Sequence, residues 1–294
     1  MHALNTLGMA RIFGGDPGGI EDLERSIERG QGTDFVFELS TALNNLGNIL
    51  WTLGRLDEGD ARLEEARALS ERFGITQGVA WNEGERVYAR ENHGDLDGVI
   101  AAADHFLSLA YAEESYQTGP VLTCRARAYL ARGQVDDAVA DVERALAGLR
   151  ESGSDAQTGS WMLAGASRCL RAAGRGAEAE ALLAESLAMR IDETVYEIPL
   201  ELVELGRGEE YLTLMDGAPG YVWLEAGRAA AAGDLVGAAA IYGRYGARFP
   251  EAWAALLAAE RGDTSRLDAA LSYFEEQRAT PYVQRCRALL QASA

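Results

Sequence analysis

The sequence contains no lysine, because all 27 of its basic residues are arginines. This absence excludes Schiff-base chemistry on a lysine and the phosphate-binding loop that ends in lysine. Its three histidines are isolated, and its three cysteines are widely spaced without a Cys-x-x-Cys pair, which argues against a zinc site and a disulfide framework. We therefore expect no metal, no cofactor and no catalytic activity, and a reducing cytoplasmic setting.

Proline, aromatic residues and long apolar runs are also scarce. The chain of 294 residues has six prolines and 8% aromatic residues, and no apolar run approaches the roughly 20 residues of a membrane span. Alanine, leucine, glutamate and arginine dominate, which favours helix over sheet. The formal charge of -19 would repel nucleic acid and anionic membranes, so neither is an expected partner.

Glycines recur at a regular interval. Gly54, Gly94, Gly133 and Gly174 are separated by 40, 39 and 41 residues, and the first three begin the string Gly-x-apolar-Asp. This string predicts a helix that ends at a left-handed glycine, followed by a second helix whose first N–H groups bond to the aspartate. The spacing therefore predicts an array of helical hairpins.

The second helix of each hairpin carries small or apolar residues at i, i+4 and i+7, which share one helical face. Small residues at the first position allow two helices to approach closely. The triplets are Gly19, Leu23, Ser26; Gly59, Leu63, Ala66; Val99, Ala103, Phe106; Ala138, Val142, Ala145; Ala179, Leu183, Ser186; and Ala238, Tyr242, Tyr245.

This pattern resembles the tetratricopeptide repeat, and the copy formed by Leu46-Gly47 with the triplet at Gly59 matches it best. The period near 40 is longer than the usual 34 residues of that repeat. The resemblance implies an all-α fold, a right-handed superhelical stack of antiparallel helix hairpins (a solenoid), whose concave groove binds a protein or peptide. We expect repeats 1 to 5 in residues 1–190, a degenerate repeat or joint in 191–220, and C-terminal repeats with a closing helix in 221–294, all in one continuous solenoid.

Two segments have a more specific resemblance. Residues 15–24 (GDPGGIEDLE) and 279–290 (ATPYVQRCRALL) are similar to the C-terminal repeat regions of bacterial signal-transduction ATPases of the cyclase-linked or maltose-regulator type. This resemblance implies a regulatory or sensor module of a larger signalling protein with N-terminal ATPase or cyclase domains. The helical pattern begins at once at Met1, and for this reason we expect a fragment.

The exposed stripe of each first helix supplies the candidate groove residues. They are Asn44, Asn48, Trp81, Glu85, Tyr88, Arg127, Trp161, Arg168 and Arg171. The asparagines either grip a peptide backbone or bridge neighbouring helices. Trp51 is expected in the core, and Trp81 and Trp161 in the groove. The arginines either hold an acidic or carboxylate group of the partner or pair with Glu85 and other acids of the array.

Three functions remain open at this point. The first is a non-catalytic regulatory scaffold that binds a protein or peptide. The second is a small-molecule sensor, which a compact and deep pocket would favour. The third is a helical hydrolase with a carboxylate pair, which requires two acids that face each other across a cleft, at least one with a perturbed pKa.

Overall fold

The structure, a computed structural model, describes residues 1–152, 158–189, 196–218 and 221–292. All regular elements in these ranges are helical, and the predicted all-α solenoid of helix hairpins is confirmed. The N-terminal helices are α1 (His2–Phe13), α2 (Gly19–Gly30), α3 (Val36–Thr52), α4 (Leu56–Arg72), α5 (Thr76–Asn92), α6 (Leu96–Ser108), α7 (Thr118–Arg132), α8 (Val135–Ser152), α9 (Gly159–Ala172) and α10 (Gly176–Ala188). A 3-10 turn, Ala112–Glu114, precedes α7.

The C-terminal helices are shorter. They are α11 (Glu197–Glu204), α12 (Gly208–Leu214), α13 (Val222–Ala231), α14 (Leu235–Arg244), α15 (Arg248–Glu260), α16 (Leu267–Glu276) and α17 (Thr280–Ala292). Residues 191–195 and 219–220 of the predicted joint lie outside the described residues, while α11 and α12 lie within the joint. The division of the chain at residues 190 and 220 therefore stays a prediction.

The predicted turn glycines adopt the left-handed conformation that a β-carbon disfavours. Gly54, Gly94, Gly133 and Gly174 have φ values of 74°, 70°, 82° and 77°. Each lies directly between the two helices of a hairpin. The regular spacing of these glycines therefore marks the turns of successive hairpins.

The prediction for the aspartates was wrong. Asp95, two residues before Asp97, caps α6 by accepting from the backbone N–H of Gly98 at 2.9 Å, and no side chain caps α4, although Asp57 lies in its first turn. Asp97 instead forms ion pairs with two arginines. In this turn only one residue separates the glycine from the first helical residue, so the predicted aspartate already lies inside the helix.

The triplet residues lie in the core as predicted, and Tyr245, the one exception, is half-buried. The helices of the second hairpin approach each other closely: a β-carbon on Gly59 would lie 2.8 Å from the carbonyl oxygen of Gly47, and one on Gly47 would lie 2.7 Å from Leu63 Cγ. Because real β-carbons do not tolerate such distances, glycine is required on both faces of this contact.

The C-terminal helices turn back along the N-terminal hairpins and contact their turns in sequence order. Tyr221 donates a hydrogen bond to the carbonyl of Ile12, and Trp223 Nε1 donates to that of Trp51 at 2.9 Å. Tyr273 donates to the carbonyl of Gly94 at 2.6 Å. Pro281 lies beside Gly133 at the fourth hairpin.

This return gives the stack two different edges. We call the side of the hairpin turns, where α13 to α17 pack, the turn edge. The opposite side, where the first helices begin and the second helices end, is the open edge. One hydrophobic core runs from Trp51 to Cys286 and joins the N-terminal hairpins to the returning helices.

Candidate functional site

The structure divides the nine predicted groove residues into two groups. Asn44, Asn48, Trp81, Glu85 and Tyr88 lie on α3 and α5 and extend toward the open edge. Arg127, Trp161, Arg168 and Arg171 lie on α7 and α9, and the three arginines contact residues of α11, α15 or α17. Their role in ligand binding stays a prediction, but the two groups have different surroundings.

The asparagines of the first group bridge α3 and α5. Asn44 Nδ2 donates to Asn82 Oδ1 at 3.3 Å, and Asn44 Oδ1 accepts from Asn48 Nδ2 at 3.2 Å. Tyr88 continues the polar contacts toward α7 by donating to Gln117 Oε1 at 2.7 Å. Of the two interpretations of the asparagines, the bridge between neighbouring helices is therefore present in the structure.

Glu85 lies among these amides and is only 3% exposed. Its Oε2 atom has no hydrogen-bond partner among the residues that the structure describes. Burial raises the pKa of Glu85 to about 7, although Asn48, Trp81 and Gln117 lie close enough to oppose part of the rise. The carboxyl group is therefore protonated in a large fraction of molecules at neutral pH, and its charge is poorly solvated when it ionises.

Stability should fall with rising pH because of Glu85. The folded protein holds this proton up to a pKa of about 7, whereas the unfolded chain loses it near the ordinary value of 4.5. The folded state therefore binds more protons between these two values, and the stability loss is complete above pH 7. Substitution Glu85→Gln should raise the free energy of unfolding by up to about 3 kcal/mol at pH 8 and by little at pH 4. Urea unfolding at both pH values measures this difference, and an equal effect at both would contradict the assignment.

Exposed aromatic side chains line the open edge beside Glu85. We call them the aromatic edge: Phe35, Phe37, Phe73, Trp81 and Tyr116. The rings of Trp81 and Tyr116 stack with centroids 5.9 Å apart and an angle of 7°. Their exposed fractions are 36% and 46%, whereas Trp161 is only 7% exposed and lies in the core. The expectation of an accessible tryptophan therefore holds for Trp81 and fails for Trp161, which Tyr88 and Arg127 cover.

Arg127 lies in a buried ion cluster. Its Nε atom is 2.8 Å from Glu91 Oε1 on α5 and 3.0 Å from Glu197 Oε1 on α11, and its side chain is 9% exposed. Its guanidinium lies 4.8 Å from the ring centroid of Trp161. Burial raises the pKa of Glu197, and the charge of Arg127 opposes that rise. Arg127 therefore links two N-terminal hairpins to the returning helices.

The other two arginines also have partners within the chain. Arg168 lies 3.7 Å above the ring centroid of Trp253 and donates a hydrogen bond to the hydroxyl of Tyr282. Arg171 is 3.6 Å from Glu201, whose pKa burial raises to about 7. Internal pairing, one of the two interpretations of these arginines, is thus what the structure contains, although their partners are not Glu85. A carboxylate ligand would have to displace these contacts.

Two cavities in the described part of the chain are small. One beside Arg127, lined also by Glu91, Arg168 and Glu197, has room for about one water molecule. Another, a surface cleft between α15 and α16 lined by Arg248 and Arg266, has a volume of about 170 Å³. Both are smaller than the roughly 300 Å³ at which pockets for small molecules begin.

The described residues contain neither a metal-binding cluster nor a membrane-spanning helix. No three histidine, cysteine, aspartate or glutamate side chains there are grouped so that they could hold a metal ion. None of the described helices is both long and apolar enough to cross a membrane.

Sequence reasoning missed three groups of the site. Asn82 was missed because it lies one residue from the predicted stripe on α5. Tyr116 and Gln117 precede α7, where helical periodicity does not apply. Glu197 follows the undescribed residues 190–195, in a segment where the repeat pattern fails. The one sequence signal for Tyr116 is its position beside the polar residue Gln117, directly before the start of α7.

Comparison with known proteins gives the following matches. Family models described as tetratricopeptide repeat match residues 39–72 and 117–192. No curated protein sequence matches the chain. The crystal structure of the P58(IPK) TPR domain aligns over 99% of this chain and 98% of that chain, with 13% identity and a TM-score of 0.29, a value too low to compare the two shapes in detail.

The two matched segments include α3 with α4 and the region from α7 to α10, which are hairpins that contribute to the site. The predicted resemblance to the tetratricopeptide repeat is thus confirmed for these segments. Such repeats typically form non-catalytic scaffolds that bind proteins or peptides. The chain is therefore an all-α solenoid that contains tetratricopeptide repeats at residues 39–72 and 117–192, which suggests a protein-interaction scaffold.

Proposed function

We propose that this chain is a scaffold that binds a segment of another protein along the aromatic edge. The observation that carries the proposal is the stacked and exposed pair of Trp81 and Tyr116. Flat aromatic side chains contribute much of the binding energy at protein interfaces because they bury a large area at a small entropic cost. The pair lies beside buried amide groups of α3 and α5.

The distribution of exposed apolar side chains supports this location. Five of the eight large apolar side chains that are exposed in the described part of the chain form the aromatic edge, and they come from successive hairpins. The turn edge is largely covered by α13 to α17, although Phe13 remains exposed there. A partner segment that runs across the hairpins at the open edge would meet one aromatic side chain after another, which suits an extended peptide better than a compact metabolite.

We also propose that this scaffold is a regulatory module of a larger bacterial signalling protein. The support is the resemblance of residues 15–24 and 279–290 to the repeat regions of signal-transduction ATPases. The preference for an acidic partner has weaker support, because Arg127 and Arg171 already contact glutamates. The aromatic edge is therefore the better location for partner binding.

Substitution Trp81→Ala should weaken partner binding by about 30-fold, the effect of removing a dominant interface aromatic. Peptides selected from a random library on the immobilised protein would be labelled and titrated by fluorescence anisotropy. Phe13→Ala is the matched control, since Phe13 is exposed but lies at the turn edge. Equal affinity of the selected peptides for the wild type and Trp81→Ala would contradict the proposed surface, and failure to select any peptide would contradict peptide binding.

A further inference from the structure

Glu85 differs from the other buried acids of this protein. In the described part of the chain these acids are Asp22, Glu83, Asp141, Glu197 and Glu201, and each lies within 4 Å of an arginine nitrogen. Glu85 is as deeply buried as they are, but it forms no ion pair with any described residue, and its Oε2 atom has no hydrogen-bond partner. Because a buried carboxylate without a counter-charge is costly to ionise, a cation from another molecule would stabilise the charged form of Glu85.

The surroundings of Glu85 suit one kind of cation. Trp81 lies one helical turn before Glu85 on α5, and Tyr116 stacks on its indole ring. A guanidinium group is planar, stacks on aromatic faces and pairs with a carboxylate through two parallel hydrogen bonds. Within this chain, Arg127 already shows such an arrangement, since it contacts the ring of Trp161 and the carboxylate of Glu91.

We propose that Glu85, together with the rings of Trp81 and Tyr116, receives an arginine side chain of the bound partner segment. This proposal rests on the proposed function and specifies the chemistry of the partner at the same site. The formal charge of -19 agrees with it, because a strongly acidic protein attracts basic segments and accelerates their association. The pairing supplies a counter-charge that no described residue of the chain provides.

The test uses pools of labelled synthetic peptides that are random except at one central position. That position carries arginine in one pool and citrulline in the second, which has nearly the same shape but no charge; a third pool carries lysine. The wild type should bind the arginine pool at least about 10-fold more tightly than the citrulline pool. With Glu85→Gln, which retains the size of the side chain, the arginine and citrulline pools should bind equally tightly.

The pH dependence of binding provides a second measurement. The pKa of Glu85 near 7 means that its carboxyl must lose a proton before it can pair with a cation, so affinity for the arginine pool should rise from pH 6 to pH 8 and then level off. Asn48 of α3 and Gln117, just before α7, face Glu85 and do not titrate. Burial keeps the pKa of Tyr88 well above its ordinary value.

Two further titratable residues lie on the other side of α5. Glu83 and His105 are 3.6 Å apart there, because residues 83 and 85 point to opposite faces of the helix. Substitution His105→Gln should therefore leave the pH profile of binding unchanged, whereas Glu85→Gln should make it flat.

The outcomes separate this proposal from the proposed function. If the arginine and citrulline pools bind equally and both depend on Trp81, the scaffold function stands and the arginine site is overturned. Preference for the lysine pool over the arginine pool overturns the choice of guanidinium. Binding of no pool, or binding that is unaffected by Trp81→Ala, overturns the proposed function and the arginine site with it.

Discussion

Substitution Arg127→Met is expected to lower the free energy of unfolding by about 3–5 kcal/mol. The guanidinium lies between Glu91 and Glu197, and its removal leaves two buried carboxylates near each other without a counter-charge. The loss of contact with the ring of Trp161 adds to the effect. Urea unfolding monitored by circular dichroism at pH 7 measures the change.

Substitution Arg62→Met is the matched control. Arg62 pairs with Glu65 on the surface of α4, where both side chains are nearly half exposed. Such a pair contributes about 0–1 kcal/mol, so this variant should be close to the wild type in stability. A small effect at Arg127 would mean that the ion cluster does not hold α11 against the N-terminal hairpins. Because Arg127 is structural, loss of partner binding in a charge-reversed Arg127 variant would report unfolding and not recognition.

Substitution Trp253→Ala is expected to lower the free energy of unfolding by about 3–5 kcal/mol, the usual effect of truncating a large buried aromatic side chain. Trp253 on α15 is fully buried, and its ring packs between Arg168 of α9 and the rings of Phe249 and Tyr282. It therefore fills the contact between the returning helices and the fifth hairpin, and its loss leaves a cavity there.

Trp81→Ala provides the comparison within the same residue type. Trp81 is exposed at the open edge, so its truncation should change stability by less than about 1 kcal/mol. The two variants are thus expected to behave oppositely: Trp253→Ala loses stability, whereas Trp81→Ala loses binding. Similar stability of the two proteins in urea would contradict the packing of α15 against α9, and it would place the returning helices apart from the N-terminal hairpins.

The spacing of residues predicted the hairpins well because this information is local. A left-handed glycine at Gly54 or Gly133 and a small-residue triplet on the next helix depend on neighbours within about ten residues in sequence. The capping role of the aspartates was also a local prediction, but it was wrong by two residues. The turn is shorter than the string Gly-x-apolar-Asp implied. Asp95 and not Asp97 therefore caps α6.

The candidate site was predicted only in part. The exposed stripe of each first helix predicted Asn44, Asn48 and Glu85 as groove residues, and the structure places them close together. The reason is that adjacent hairpins bring equivalent positions of α3 and α5 side by side. The stripe could not distinguish Trp81 from Trp161. Both occupy the same kind of helix position, but one remains exposed and the other is covered by residues from other helices.

The sequence by itself determined the all-α fold, the hairpins and the faces on which they pack, since helical periodicity records which side of each helix meets the next. Only the tertiary structure decided which part of the inner surface stays accessible. Contacts such as Tyr273 with Gly94 or Trp223 with Trp51 join residues more than 170 positions apart. They arise because small rotations between successive hairpins add up to a curvature that brings the C-terminal helices back onto the turns, and no local spacing encodes that sum.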